Sequence, residues 1–152
     1  MALKFKPEVQ SARILSVGAY RPPRVVPNSE IIERIDSTDE WIQQRTGIVS
    51  RHIAAADESL IDMAEKSALI AIKRAGLTAQ DIDAVIFATI SYPYQAPSAA
   101  TELLVRLGNV KAAAFDLSAA CAGFCYGVAL ANDLVRNKTA TNVLVMGAEK
   151  LS

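Results

Sequence analysis

The chain has 152 residues, the size of one ordinary domain and long enough to bury a substantial core. Half of it is apolar, and 16 lysines and arginines balance 16 aspartates and glutamates. That composition is globular and gives no electrostatic case for nucleic acid or an anionic membrane surface. The most apolar run, Ala112 to Ala131, is interrupted by Asp116 and rich in small residues, so it reads as strand plus helix rather than as a membrane span. A single histidine and two cysteines leave no metal-ligand spacing, so no metal is expected. No secretory signal is read at Met1 to Pro7, and the expected compartment is the cytoplasm.

Taken in order, residues 1–11 read as a loose leader and 12–152 as one domain. Arg13 to Tyr20, with Ile14, Leu15 and Val17, predicts a first strand, and Pro22, Pro23 and Pro27 then break any regular element. Asn28 or Ser29 can cap a short helix running to Arg34. Ser37 or Thr38 caps a second, with Asp39 and Glu40 in its first turn and Gly47 beyond its end. That helix carries Trp41 and Arg45, four apart on one face. Two readings stand: an aromatic packed under an arginine stem, or a nucleotide clamp in which indole and guanidinium planes stack on a base. Gly47 to Ala54 reads as extended. It holds the sole histidine, His52, which is not assigned as a general base.

Ser59 to Ala75 gives the clearest helical period: Leu60, Ala64, Ala68, Ala71 and Ala75 beside Ile61, Leu69 and Ile72, closed by Gly76. Asp81 and Asp83 flank a solvated turn before a strand from Ala84 to Ile90. Tyr92 to Pro97 reads as a rigid loop opening a helix, with Pro97 in its first turn and Gly108 at its end. Ala112 to Leu117 is a strand, Cys121 to Arg136 a helix with Phe124, Val128, Ala131 and Val135 at helical spacing, and Asn142 to Ala148 a last strand. Alternating strands and helices predict an α/β layered domain with a mostly parallel sheet and helices packed on it.

The stretch from Ala114 to Phe124 reads as a strand, a tight turn of small residues and a helix start, with Cys121 at the junction. Cysteine often packs as a small hydrophobe. At a helix N-terminus, however, the macrodipole favours the thiolate, which is the nucleophilic form suited to covalent acyl transfer. Cys125 lies four residues on, and such helical neighbours rarely meet disulfide geometry.

Asp116-Leu117-Ser118-Ala119-Ala120-Cys121-Ala122-Gly123-Phe124 resembles the nucleophile segment of β-ketoacyl-acyl-carrier-protein synthase III, a thiolase-fold family of condensing enzymes that starts fatty-acid synthesis. Ser37 to Ile42, followed by Arg45 to Ile48, and Arg51 to Ala55 agree with the same family in one register. The resemblance runs from about Arg13 to Ser152 and covers the family's first half. It implies the N-terminal half of a thiolase-like fold, an acyl-CoA primer that acylates Cys121, and malonyl-acyl-carrier protein as the condensing partner. Coenzyme A then enters as a substrate thioester and no cofactor is required. Trp41 and Arg45 would sandwich its adenine, with Ser37 nearby. Ala96 and Phe124 would line the acyl pocket, Ala96 reaching the partner's pocket across a homodimer interface; alanine there leaves room for a primer longer or more branched than acetyl. His52 matches a non-catalytic loop position, whereas the family's catalytic histidine and asparagine belong to a second half that these residues lack. The expectation is that the 152 residues alone do not condense and that apolar surface is left uncovered. The same residues also fit a related condensing enzyme for polyketide starter units, or a non-catalytic half-fold interaction module.

Overall fold

The computed structural model describes residues 12–151, so the leader expected over 1–11 lies outside the described residues. The elements run β1 (Arg24–Pro27), α1 (Asn28–Ile32), α2 (Asp39–Thr46), β2 (Ser50–Ile53), α3 (Leu60–Arg74), β3 (Ala84–Ala88), α4 (Ala99–Arg106), β4 (Ala113–Leu117), α5 (Gly123–Arg136) and β5 (Val143–Gly147). Two 3-10 turns, Ala79–Asp81 and Ala120–Ala122, precede β3 and α5.

The core is a parallel three-stranded sheet in the order β4-β3-β5. β3 reads Ala-Val-Ile-Phe-Ala, and all five residues are buried, as a central parallel strand covered on both faces requires. Its side chains alternate. Val85 and Phe87 join Leu144 and Met146 in the cluster built with α3 and α4. Ile86 and Val145, of opposite parity, face α5 at Gly127. The topology explains the two covers: β3 to β4 steps one way across the sheet and β4 to β5 steps back past β3. Right-handed crossovers therefore put α4 and α5 on opposite faces.

α3 is fixed by a capping box in which the Ser59 hydroxyl accepts from the Asp62 amide at 3.0 Å and the Asp62 carboxylate accepts from the Ser59 amide at 2.7 Å. Leu60, Ile61, Ala64, Ala68 and Ile72 form its buried face; Leu69, predicted beside that stripe, is half exposed. Arg106 of α4 reaches Asp62, Glu65 and Glu102 and ties the two helices together. The turn at Asp81 and Asp83 is a backbone device, as the sequence suggests. Asp81 caps the 3-10 turn through Thr78, and the Asp83 carboxylate accepts from the amides of Thr141 and Asn142.

Before the sheet, β1 pairs antiparallel with β2, Arg24 opposite Ile53 and Pro27 opposite Ser50. This corrects the expectation that the prolines break all regular structure: Pro22 and Pro23 precede the strand, and Pro27 closes a two-stranded ribbon that has edges on both sides. Residues 13–20, predicted as a strand, pair with no strand among the described residues. They cross α3, where Ser16 donates its hydroxyl to the Ala71 carbonyl and Arg74 donates to the Val17 carbonyl. Gly18 meets α3 so closely that a Cβ would lie 2.1 Å from the Ser67 carbonyl oxygen. Pro27 rather than Asn28 or Ser29 is the N-cap of α1, because the Asn28 side chain is used elsewhere. Pro97 lies outside α4, whose N-cap is Ser98. Among the described residues no helix is long and apolar enough to cross a membrane.

Candidate active site

Parallel α/β sheets place chemistry at the carboxyl ends of their strands. Here β4 ends at Leu117, and the chain turns through Ser118 and Ala119 into the 3-10 turn that contains Cys121. The turn is sharp: Ala120 has φ +45°, a left-handed conformation that L-residues avoid and that recurs at functional sites. The α-helix begins at Gly123, two residues later than predicted, so Cys121 stands on the turn ahead of it. Both cysteines are free and exposed.

α5 comes unusually close to the sheet. A Cβ on Gly123 would sit 3.0 Å from the Ala88 Cβ, and one on Gly127 3.0 Å from Val145 Cγ1. These glycines are the helix's buried residues, whereas of the residues at helical spacing Phe124 and Val128 are exposed and Ala131 and Val135 half-buried. Phe124 lies beside Gly147 at the end of β5, on the same side of the sheet as the Cys121 turn, and is half exposed.

The loop with Ala96 is held at both ends by carboxylates. Glu149, just beyond β5, accepts from the amides of Ile90 (2.9 Å) and Ser91 (3.0 Å), from the Thr89 hydroxyl (3.1 Å) and from the Ser91 hydroxyl. Asp116 of β4 accepts from the amides of Ala99 and Ala100, each at 2.8 Å, at the N-terminus of α4. The Thr89 amide donates to the Leu117 carbonyl, joining the loop's root to the strand that delivers Cys121. In the sequence Asp116 interrupts an apolar run and heads the segment that resembles the nucleophile stretch, with no partner indicated. A charged residue inside an apolar strand needs partners, and that was the available signal. Nothing in the sequence singled out Glu149.

The second group sits on α2. Thr38, not Ser37, is its cap, accepting from the Trp41 amide at 3.1 Å, and Gly47 ends it at φ +70°. The Arg45 guanidinium lies 5.9 Å from the Trp41 ring centroid, the outer range of a cation–π contact. Both side chains face solvent, Trp41 with 56% of its surface exposed. Ser37 precedes the cap, and its buried hydroxyl finds no partner among the described residues. Trp41 and Arg45 thus come together, and Ser37 lies in the segment just before their helix. α2 packs on α1 rather than on the sheet, so this group belongs to a different substructure from Cys121, Phe124 and Ala96. His52 donates from Nδ1 to the Pro22 carbonyl at 2.6 Å and serves the β1–β2 ribbon. Among the described residues no group of three His, Cys, Asp or Glu side chains is placed to hold a metal.

A parallel sheet whose edge strand delivers a cysteine through a strained turn to a glycine-seated helix is the arrangement of a thiolase-like condensing-enzyme domain. The family model for 3-oxoacyl-[acyl-carrier-protein] synthase III matches residues 115–152. The β-ketoacyl-[acyl-carrier-protein] synthase III of Kocuria rhizophila is 54% identical over 140 residues, 92% of this chain and 39% of that protein. Among solved structures, the priming β-ketosynthase of the R1128 polyketide pathway superposes with TM-score 0.91 at 40% identity, covering 97% of this chain and 44% of its own. The 3-oxoacyl-[acyl-carrier-protein] synthase III of Aquifex aeolicus gives 0.87 at 39% identity, covering 91% and 44%. Over nearly all of its length the chain is similar to β-ketoacyl-[acyl-carrier-protein] synthase III proteins, and it spans about two fifths of the length of the curated relatives it matches.

Proposed function

We propose that this chain carries the nucleophile and the primer-binding half of a decarboxylative condensing enzyme. The observation behind the reading is the free, exposed Cys121 on its strained turn at the carboxyl end of β4. The Cys121 thiolate attacks the carbonyl carbon of an acyl-CoA, the C–S bond to coenzyme A breaks, and an acyl-cysteine thioester and free coenzyme A result. The Cys121 backbone N–H is the donor we assign to the oxyanion formed on the way, its partner coming from later in the family's chain. Malonyl-acyl-carrier protein then loses carbon dioxide, and its carbanion attacks the acyl-cysteine to give a β-ketoacyl product and regenerate the thiolate. Trp41 and Arg45 take the adenine end of coenzyme A, with Ser37 in the segment that leads into their helix. Ala96 and Phe124 shape the acyl site, and the small Ala96 suits a primer larger than acetyl.

The condensing step calls for a histidine and an asparagine to stabilise the enolate. The one histidine here lies in the ribbon and is bonded to the Pro22 carbonyl, so we assign that step to residues beyond these 152 and expect the chain alone not to condense. A homodimer in which each Ala96 loop completes the neighbouring site fits the same reading. Priming of a polyketide rather than a fatty acid is the second reading, favoured by the likeness to the R1128 priming synthase.

The test is incubation with acetyl-, butyryl- and isobutyryl-CoA followed by intact-mass and peptide mapping. One acyl adduct on Cys121 is expected, lost in Cys121→Ala and kept in Cys125→Ala. Acylation of Cys125 instead, or none at all, overturns the assignment.

A further inference from the structure

The helix that carries Trp41 and Arg45 has little to hold it. Ile42 is the only residue of α2 that is buried; the flanking Ile48 and Val49 are 40% and 62% exposed. What remains is polar, and it converges on one side chain. Asn28, at the start of α1, is 1% exposed. Its Nδ2 donates to the Asp39 carboxylate in the first turn of α2 at 2.7 Å and to the Ile48 carbonyl just past its end, also at 2.7 Å. Its Oδ1 accepts from Arg51 of β2 at 2.7 Å, and its amide donates to the Val49 carbonyl at 3.3 Å. One buried amide therefore grips the entry of α2, its exit and the neighbouring strand. An amide alone can do this, since it needs two donors on one atom and an acceptor on the other.

We propose that Asn28 is a positioning residue for the nucleotide end of the acyl-CoA: it sets the placement of α2, and through it of the Trp41–Arg45 pair. The inference rests on the coenzyme A reading of that pair. Asn28→Asp keeps the shape, removes both donors and turns a carboxylate toward Asp39 and the Ile48 carbonyl. α2 then shifts or loosens while the sheet and the Cys121 turn, built on other elements, stay as they are.

The discriminating probe is a pair of primers with the same acyl group, one an acyl-CoA and the other an acyl N-acetylcysteamine thioester, which lacks the nucleotide. Rates of Cys121 acylation in the native protein are compared. In the wild type the acyl-CoA should react with much the lower half-saturating concentration. In Asn28→Asp that concentration should rise roughly tenfold, the scale of losing hydrogen bonds to a buried polar group. The maximal rate and the reaction with the truncated thioester should be unchanged. Asp39→Ala, which removes a half-buried partner and leaves Asn28 itself in place, should shift in the same direction by a smaller factor. If the wild type shows no preference for the acyl-CoA, the clamp reading fails and takes this inference with it. If the preference exists and both variants keep it, Asn28 has no positioning role and the clamp stands. Equal loss with both primers marks general damage and also overturns the proposal.

Discussion

On one face of the sheet, α3 and α4 bury Leu60, Ile61, Ala64, Ala68, Ile72, Ala99, Ala100, Leu103 and Leu104 in one cluster. On the other, α5 is as apolar but buries only Gly123 and Gly127, leaving Phe124, Tyr126, Val128 and Leu130 between 36% and 57% exposed. A helix that is apolar nearly all round is normally enclosed on all sides. The contrast shows what each helix is matched to. α3 and α4 have one apolar stripe and one polar face, and the sheet satisfies them. α5 presses its smallest residues on the sheet and turns its largest outward, a pattern that suits a middle layer. This is the uncovered apolar surface the sequence predicts, and it fits a fold completed by further chain.

The sharpest test of that contrast is a matched pair of truncations. Leu103→Ala, at a site with no exposure, should cost about 2–5 kcal/mol in urea denaturation. Leu130→Ala, 42% exposed, should cost under about 1 kcal/mol. Similar losses would mean that the α5 face is covered in solution.

Gly127→Ala probes the seam between α5 and the sheet. Alanine favours helix over glycine by about 0.5–1 kcal/mol, but its Cβ would press on Val145, and overpacking costs about 1–3 kcal/mol. A net loss of about 1 kcal/mol in the same assay is expected; a gain would show that the seam is loose.

An effect of similar size, but dependent on pH, belongs to the well-covered face. The Ser59 hydroxyl, the Arg106 guanidinium and the Ser59 amide hold the Asp62 carboxyl well below the usual carboxylate range. A folded-state pKa below the unfolded value of about 3.9 means that the cap contributes fully at neutral pH and loses its advantage as pH falls below about 4. Asp62→Asn should therefore cost about 1 kcal/mol at pH 7. The gap in urea midpoint between it and the wild type should narrow by pH 3, and a gap independent of pH would remove the carboxylate from the account.

Local signals were legible where they act locally. Ser59 with Asp62, Thr38 with Gly47, and the apolar runs of β3, β4 and β5 each announce their element, and the spacing around Cys121 places it at the strand–helix junction. The misses are tertiary. Residues 13–20 have the pattern of a strand, but here the chain lies across α3 and is bonded to it through Ser16 and Val17. Asn28 looks like a cap until its amide is seen joining α2 to β2, contacts 11 to 23 residues away. The strained turn at Ala120 has no residue-type signature, since alanine is not a left-handed former; only the resemblance to a known nucleophile segment pointed there.

The pairing of β3 also bears on how the protein is made. Ala84 pairs with Ala113 on one side and with Val143 on the other, so the most apolar strand leaves the ribosome before either neighbour. At about 5–20 residues per second, the roughly sixty residues to its second partner take about 3–12 s to synthesise. For about the first half of that interval, until β4 follows, a short β-prone segment without charge waits with both edges open. One edge stays open until β5 is made, and this is the kind of sequence that aggregates when exposed.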